Sequence, residues 1–448
     1  MTAPAPGAVE TVFRMESPRI IAAVARIVRD VGIAEEIAQD AFVAALEQWP
    51  RTGVPDRPAA WLTAAAKNRA VDLVRRRETY ARKLAEVGRE LTEESHDPEP
   101  SGPGDIDDDL LRLIFTACHP VLSAEARTAL TLRLVGGLRT DEIARAFLVP
   151  EATVAQRIVR AKRTLATAGV EFEVPYGQVG DPPDEVWGRA ARLGSVLDVI
   201  YLVFNEGYAA TAGDDLLRPA LCEDALRLAR VLAGLMPKEG EVHGLAALLE
   251  IQASRTAART GPDGRPVLLA DQNRSHWDRR LILRGFEALG RAGECGAYGP
   301  YALQATIAAC HAKAPAYEET DWVTIAALYE RLAAVAPSPV VELNRAVAVS
   351  MAEGPEAGLA LVDELAEERA LAGYHLLPSV RGDLLERLGR PDEARAEFER
   401  AASLTRNERE RELLRERAAR AARPERTAPA EPGERAERAD GRGASEAR

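Results

Sequence analysis

Two clusters of arginine are the residues in this 448-residue chain best suited to hold phosphates and nucleobases. Residues 67–89 carry Lys67, Arg69, Arg75, Arg76, Arg77, Arg82, Lys83 and Arg89 against Asp72, Glu78 and Glu86. Residues 151–165 carry Arg157, Arg160, Lys162 and Arg163 against Glu151. A guanidinium forms bidentate hydrogen bonds with a phosphate or a guanine edge, which an ammonium cannot. Between the clusters, residues 93–109 hold eight acidic side chains and no Lys or Arg. Two cationic elements separated by an anionic spacer are a binding arrangement, not a catalytic one.

Catalytic signatures are otherwise missing from the sequence. There is no P-loop, no dinucleotide-binding glycine pattern, no nucleophile elbow and no metal-ligand spacing, so neither an enzyme nor a cofactor is expected. His243, His276, His311 and His375 fall singly on helical segments. Cys118, Cys222, Cys295 and Cys310 are scattered without a CxxC pair, as expected of reduced thiols in a cytosol. The dipeptides Cys118-His119 and Cys310-His311 could join in a zinc site, but without finger spacing buried thiols are the simpler expectation. No run approaches eighteen apolar residues, and the start MTAPAPGAVETVFR lacks a basic-then-apolar leader; a cytoplasmic, membrane-free protein is expected. The net charge of −12 argues against a uniformly basic nucleic-acid coat. Nearly all of the acidic excess lies beyond residue 170, in a part with no base-reading features.

The elements that must position the arginines are helices. Hydrophobic residues make up 46% of the chain and aromatics only 5%, which predicts an all-α protein of several cores. Residues 16–30 and 33–49 have amphipathic spacing, with Ile20, Ile21, Val24, Ile27 and Val28 on one face and Ile37, Ala41 and Leu46 on the other's. A third helix begins near Trp61; Leu62, Ala66 and Leu73 point inward, so Asn68, Arg69, Asp72, Arg75 and Arg76 point out. Asp72 could instead pair with Arg75 or Arg76 on its own helix. Residues 107–117 form a helix stopped at His119-Pro120, and the next runs from an N-cap at Ser123 to Gly136-Gly137. TDEIARAF, the turn LVP and EATVAQRIVRAKRTLA then have the grammar of a helix-turn-helix. Ile143, Phe147, Val149 and Val154 are spaced to share its core. Val154, Ile158, Ala161 and Leu165 face inward and leave Gln156, Arg157, Arg160 and Arg163 outward. Leu148 occupies a turn position where glycine is common, which predicts a slightly rearranged turn.

Beyond a linker near 171–185 the expectation is a helical extension over 186–315 and tetratricopeptide-like repeats over 320–421. In the second repeat Gly382, Leu385, Gly389, Ala394, Phe398 and Ala401 occupy the alternating small and large positions. Ser275 and Asp278 are expected to form a capping box. Asp271, Arg274, Trp277 and Asp278 are either interdomain contacts or a capped helix start beside a buried tryptophan. Residues 422–448 are expected to be a disordered tail.

IAEEIAQDAFVAALEQWP followed by WLTAAAKNRAVDLVRRR resembles region 2 of the extracytoplasmic-function sigma factors of bacterial RNA polymerase, and LRTDEIARAFLVPEATVAQRIVRAKRTL resembles their region 4. The remaining chain resembles the subgroup with a long C-terminal helical, tetratricopeptide-like extension. The resemblance implies a region 2 over 10–80, an acidic flexible linker over 81–106 and a region 4 over 107–170. It implies that Glu35, Glu36, Gln39, Asp40, Phe42, Gln48 and Trp49 meet core polymerase, with Phe42 and Trp49 equally able to be core. It implies that Asn68, Arg69, Asp72, Arg75, Arg76 and Arg77 hold the melted −10 strand. At the −35 duplex, Thr153, Gln156, Arg157 and Arg160 would meet bases, and Lys162 and Arg163 phosphates. The partners implied are core RNA polymerase and promoter DNA. The acidity of the extension suggests a regulatory module that docks over one of the basic helices, or binds a regulatory protein or peptide. A helix-turn-helix regulator with a repeat-based sensor would also account for residues 123–168 and the repeats. It leaves the first basic helix and the charged spacer unexplained.

Overall fold

The computed structural model describes residues 6–87, 103–147, 149–173, 183–209, 212–213, 217–262 and 264–422. The fold is all-α, as expected. Among the described residues the only paired strands are two-residue segments, β1 (Ala212–Gly213) and β2 (Arg406–Asn407), joined in parallel.

The chain opens with three mutually packed helices, α1 (Pro6–Val28), α2 (Val31–Thr52) and α3 (Pro58–Val87). Alanines on the inner faces of α2 and α3 (Ala34, Ala38, Ala41, Ala45, Ala66, Ala70) lie almost wholly inside, opposite Ile20, Ile21 and Val24 of α1. Their small size lets the helices approach closely. The break between α1 and α2 is made by Arg29, at φ 54°, and Asp30. The Asp30 carboxylate accepts from the backbone N–H groups of Gly32 and Ile33 at 2.8 and 3.0 Å and so caps α2. Helix α3 continues to Val87 and α4 starts at Pro103, so both ends of the expected linker, 81–87 and 103–106, are helical; residues 88–102 lie outside the described residues, as do Leu148 and 423–448.

The second unit comprises α4 (Pro103–Ala117), α5 (Ala124–Leu134), α6 (Thr140–Phe147) and α7 (Glu151–Thr167). Ser123 caps α5 through Ala126 N–H at 3.3 Å, and Gly137, at φ 71°, supplies the left-handed residue that ends it. Ile143 and Ala144 of α6 are buried against Val154, Ile158, Ala161 and Leu165 of α7, so the i, i+4, i+7 stripe is the inward face.

Eleven further α-helices follow among the described residues: α8 (Pro183–Tyr208), α9 (Pro219–Leu235), α10 (Gly240–Ala253), α11 (Arg279–Glu294), α12 (Pro300–Lys313), α13 (Trp322–Val335), α14 (Pro339–Ala352), α15 (Pro355–Leu365), α16 (Leu376–Arg387), α17 (Pro391–Leu404) and α18 (Glu408–Ala421). From α13 onward each helix packs on the next. At the α16–α17 contact a Cβ on Gly382 would lie 2.8 to 3.1 Å from the Phe398 ring, so only glycine permits this approach. The β1–β2 pairing, and Arg265 bonded to Glu416 of α18 at 2.8 Å, bring the end of the series back to its beginning.

The Ser275–Asp278 capping box is not formed. Asp278 is itself the N-cap, accepting from Arg280 and Leu281 N–H at 2.8 and 3.2 Å, while Ser275 sits in a short 3₁₀ turn capped by Asn273. A carboxylate one residue before the helix reaches its free N–H groups directly, and no reciprocal partner is needed.

Candidate nucleic-acid interface

Both arginine faces are open to solvent. On α3, Asn68, Arg69, Asp72, Arg75, Arg76 and Arg77 are all exposed. No ion pair among the described residues engages Asp72, Arg75 or Arg76, so the alternative of an intrahelical pair is not realised. Trp61, near the start of the same helix, meets Trp49 edge to face with centroids 5.7 Å apart. On α7, Gln156, Arg160 and Arg163 are exposed and Thr153 and Arg157 half-buried. Val159, 65% exposed and off the inward stripe, lies among them.

The face on α2 is split. Glu36, Asp40 and Gln48 are exposed, whereas Phe42 and Trp49 are core. That settles their two readings in favour of packing, because both point to the same side as Ala38, Ala41 and Ala45. Val43 and Leu46, each 52% exposed, take the outward positions beside the acids and were not expected there.

Glu35 and Lys162, expected to meet two different partners, meet each other. Glu35 is only 4% exposed. Its carboxylate accepts from Arg133 Nε of α5 at 2.6 Å and is ion-paired with Lys162 of α7. Gln39 donates to the same carboxylate at 2.9 Å, which orients it. A second pair crosses the same boundary: Asp109 of α4, fully buried, takes Arg26 of α1 at 3.5 Å and Arg112 at 2.9 Å. The first two units therefore stand closed against each other, with α7 anchored at the start of α2. Neither Arg133 nor Asp109 was singled out from the sequence. Arg133 lies 98 residues from Glu35, and no local pattern connects them.

The extension covers neither arginine face. It docks on the second unit through α8 against α4, α5 and α6, and through α9 against α4. Val196, Val199, Ile200 and Val203 of α8 share one core with Leu111, Phe115, Leu130 and Leu134. Ser195 donates to the Cys118 carbonyl at 2.5 Å and Arg227 to the Gly136 carbonyl at 2.9 Å. The expected electrostatic docking over 67–89 or 151–165 is thus replaced by apolar burial, which salt does not screen. Cys118 is sealed in this contact, its thiol pushed up to about 12 by burial, against a hydrogen bond with Thr131. No group of three or more metal-ligating side chains occurs among the described residues, and no helix there is long and apolar enough to cross a membrane.

Comparison with known proteins agrees with this architecture. Residues 12–80 match the model of sigma-70 region 2, residues 112–165 that of sigma-70 region 4, and residues 192–293 a family of unknown function, DUF6596. An ECF RNA polymerase sigma factor, SigL of Mycobacterium tuberculosis, is 33% identical over 141 residues, 31% of this chain and 76% of that protein. An uncharacterized protein of Rhizobium meliloti, R00370, is 45% identical over 403 residues, covering 89% of this chain and 92% of its own length. No solved structure matches the chain. A helical unit and a helix-turn-helix, each with an exposed arginine face, define a sigma factor of the region 2–region 4 type. The chain belongs to the extracytoplasmic-function sigma factors of RNA polymerase, and it carries a helical C-terminal extension.

Proposed function

We propose that this sigma factor reads a bipartite promoter with its two arginine faces and stores them in a closed form between rounds of initiation. Helix α7 enters the −35 major groove, with Gln156, Arg157 and Arg160 on base edges, Thr153 beside them and Arg163 on phosphate. Val159 supplies an apolar contact of the kind that recognises a thymine methyl. Helix α3 holds the melted −10 strand, Asn68 reading a base edge while Arg69, Arg75, Arg76 and Arg77 bind phosphates or stack on splayed bases. Trapping an extruded base offsets an unstacking cost of a few kcal/mol, so opening needs no chemistry from the protein. Glu36, Asp40 and Gln48, with Val43 and Leu46, form the polymerase-facing surface.

The observation that carries the closed form is the Glu35 carboxylate held between Arg133 and Lys162. Helix α7 is then held against the first bundle, whose longest helix, α3, is only about 45 Å long at ~1.5 Å per residue. Elements centred near −10 and −35 are about 25 base pairs apart, roughly 85 Å along B-DNA at ~3.4 Å per pair. The closed form cannot span both. Opening frees Lys162 for a phosphate and Glu35 for polymerase at the same moment, so assembly on core enzyme and DNA drives the equilibrium. The extension travels with the second unit and sets how readily that unit leaves the first.

Binding to two oligonucleotides in the presence of core polymerase tests this reading. Replacing Arg157 and Arg160 by alanine should weaken a −35 duplex and spare a −10 single strand; replacing Arg75 and Arg76 should do the reverse. Equal losses on both probes, or none, would refute it.

A further inference from the structure

The extension contains a cleft of about 600 Å³ between α8, α10 and α12 on one wall and α13 and α14 on the other. Its size lies in the range of small-molecule sites. Leu248, Ile307, Leu332 and Val341 supply apolar wall; Gln252, Gln304 and Asn344 supply amides. One cation, Arg255, lines it. Arg255 is half-buried, and the hydrogen bonds its guanidinium makes go to the neutral amide oxygens of Gln272 and Gln252, at 3.3 and 3.4 Å. No carboxylate pairs with it among the described residues. A buried cation ordinarily has an anionic partner, because leaving water uncompensated is costly.

The surroundings deepen the imbalance. Arg255 and Arg274 both lie over the Trp277 ring, at 5.2 and 4.8 Å, and Arg259 covers Tyr208 at 3.8 Å. Arg274 is spent on the Ala314 carbonyl at 2.7 Å and on that of His311. Buried donors remain without partners: Arg259 Nε, Arg274 Nη2 and Trp277 Nε1. His311, also on the cleft wall, has its Nδ1 buried and unpartnered. Burial, with Arg255 and Arg274 nearby, pushes its pKa down to about 4, so the ring is neutral. The carboxylates within electrostatic reach are committed or remote. Glu410 is held by Thr405 at 2.8 Å and His375 at 3.1 Å, and Glu318 and Glu319 are exposed beside Arg274.

We infer that this cleft is a binding site for a small organic monocarboxylate, with Arg255 as the counter-charge and the amides and apolar wall holding the body of the ligand. A single cation lining an otherwise neutral, half-apolar cavity matches one planar carboxylate better than a phosphate dianion. Tyr201 of α8 lines the same cleft, less than two turns from Ser195, where α8 meets the second unit. An occupant therefore touches the helix that docks the extension on the DNA-reading unit. The inference does not depend on the promoter assignments and can fail without them.

The test is thermal unfolding and calorimetric titration of the full-length protein with N-acetyl-leucine, its neutral amide N-acetyl-leucinamide, and inorganic phosphate. The carboxylate should raise the melting temperature and the other two should not. Arg255→Gln should bind it roughly tenfold or more weakly while melting no lower than the parent, since it removes an uncompensated buried charge. Val340→Trp, at the exposed edge of the cleft, should block binding with Arg255 intact. No rise with N-acetyl-leucine, or an equal rise with its amide or with phosphate, would overturn the assignment. So would an Arg255→Gln protein that melts lower and still binds.

Discussion

Arg133→Gln separates the closed form from promoter and polymerase contacts, because Arg133 belongs to neither set. Its side chain, 18% accessible, donates to Glu35 at 2.6 Å and to the Leu138 carbonyl at 3.2 Å. In the open form the guanidinium and Glu35 are both hydrated, so the loss falls on the closed form. Breaking a fully buried ion pair costs about 3–5 kcal/mol. A charge-assisted hydrogen bond that water partly reaches is worth about 1.5–3 kcal/mol, and the lower range applies here because Lys162 still neutralises Glu35. That corresponds to about a ten- to hundredfold shift toward the open form. While the open form remains the minor species, the apparent affinity for core polymerase tightens by the same factor. The assay is equilibrium binding of labelled protein to core enzyme, with thermal unfolding as the check that the second unit stays folded. The double variant with Glu35→Gln should show less than the sum of the two effects. A folded Arg133→Gln protein that binds polymerase no more tightly would refute the reasoning.

Three other outcomes follow from the same geometry. Arg160→Ala, which removes a base contact, should relax sequence preference within the −35 duplex at a cost of about 1–3 kcal/mol, whereas Arg163→Ala, which removes a phosphate contact, should lower the log–log salt slope by about one; a salt titration on matched and mutated duplexes tells these apart. Gly382→Ala should destabilise the α16–α18 end by about 1–3 kcal/mol, since its methyl group would press on the Phe398 ring; unchanged urea unfolding would contradict the packing. Ser195→Ala should loosen the extension from the second unit by roughly 1 kcal/mol through loss of the Cys118 carbonyl bond. Hydrogen exchange at α4 and α8 should then quicken, and at high salt it should quicken no further.

Most of the architecture could be read from local patterns. The Val154–Leu165 stripe, the Ser123 cap and the two outward arginine faces depend on helical periodicity and capping, which nearby residues determine. Pro18 inside α1 and Pro50 in the last turn of α2 show the weakness of proline as a stop signal when packing favours the helix. Phe42 and Trp49 could not be assigned, because an aromatic residue on a basic or acidic helix suits core and interface equally. What lay beyond the sequence was whatever joins distant segments. Glu35 with Arg133 and Lys162, Ser195 with Cys118, and the arginines around Trp277 come together only in three dimensions. The same applies to the docking of the extension. Its net acidity suggested a charged contact, but the contact with the second unit is an apolar core edged by hydrogen bonds from Ser195 and Arg227 to backbone carbonyls.

Run-off transcription with purified core polymerase tests the central claim most directly. The account predicts a discrete start site only when this protein is added, lost when Arg157 and Arg160, or Arg75 and Arg76, are replaced by alanine. Transcripts that begin at the same site without the protein, or that persist at full yield with both arginine pairs removed, would contradict it.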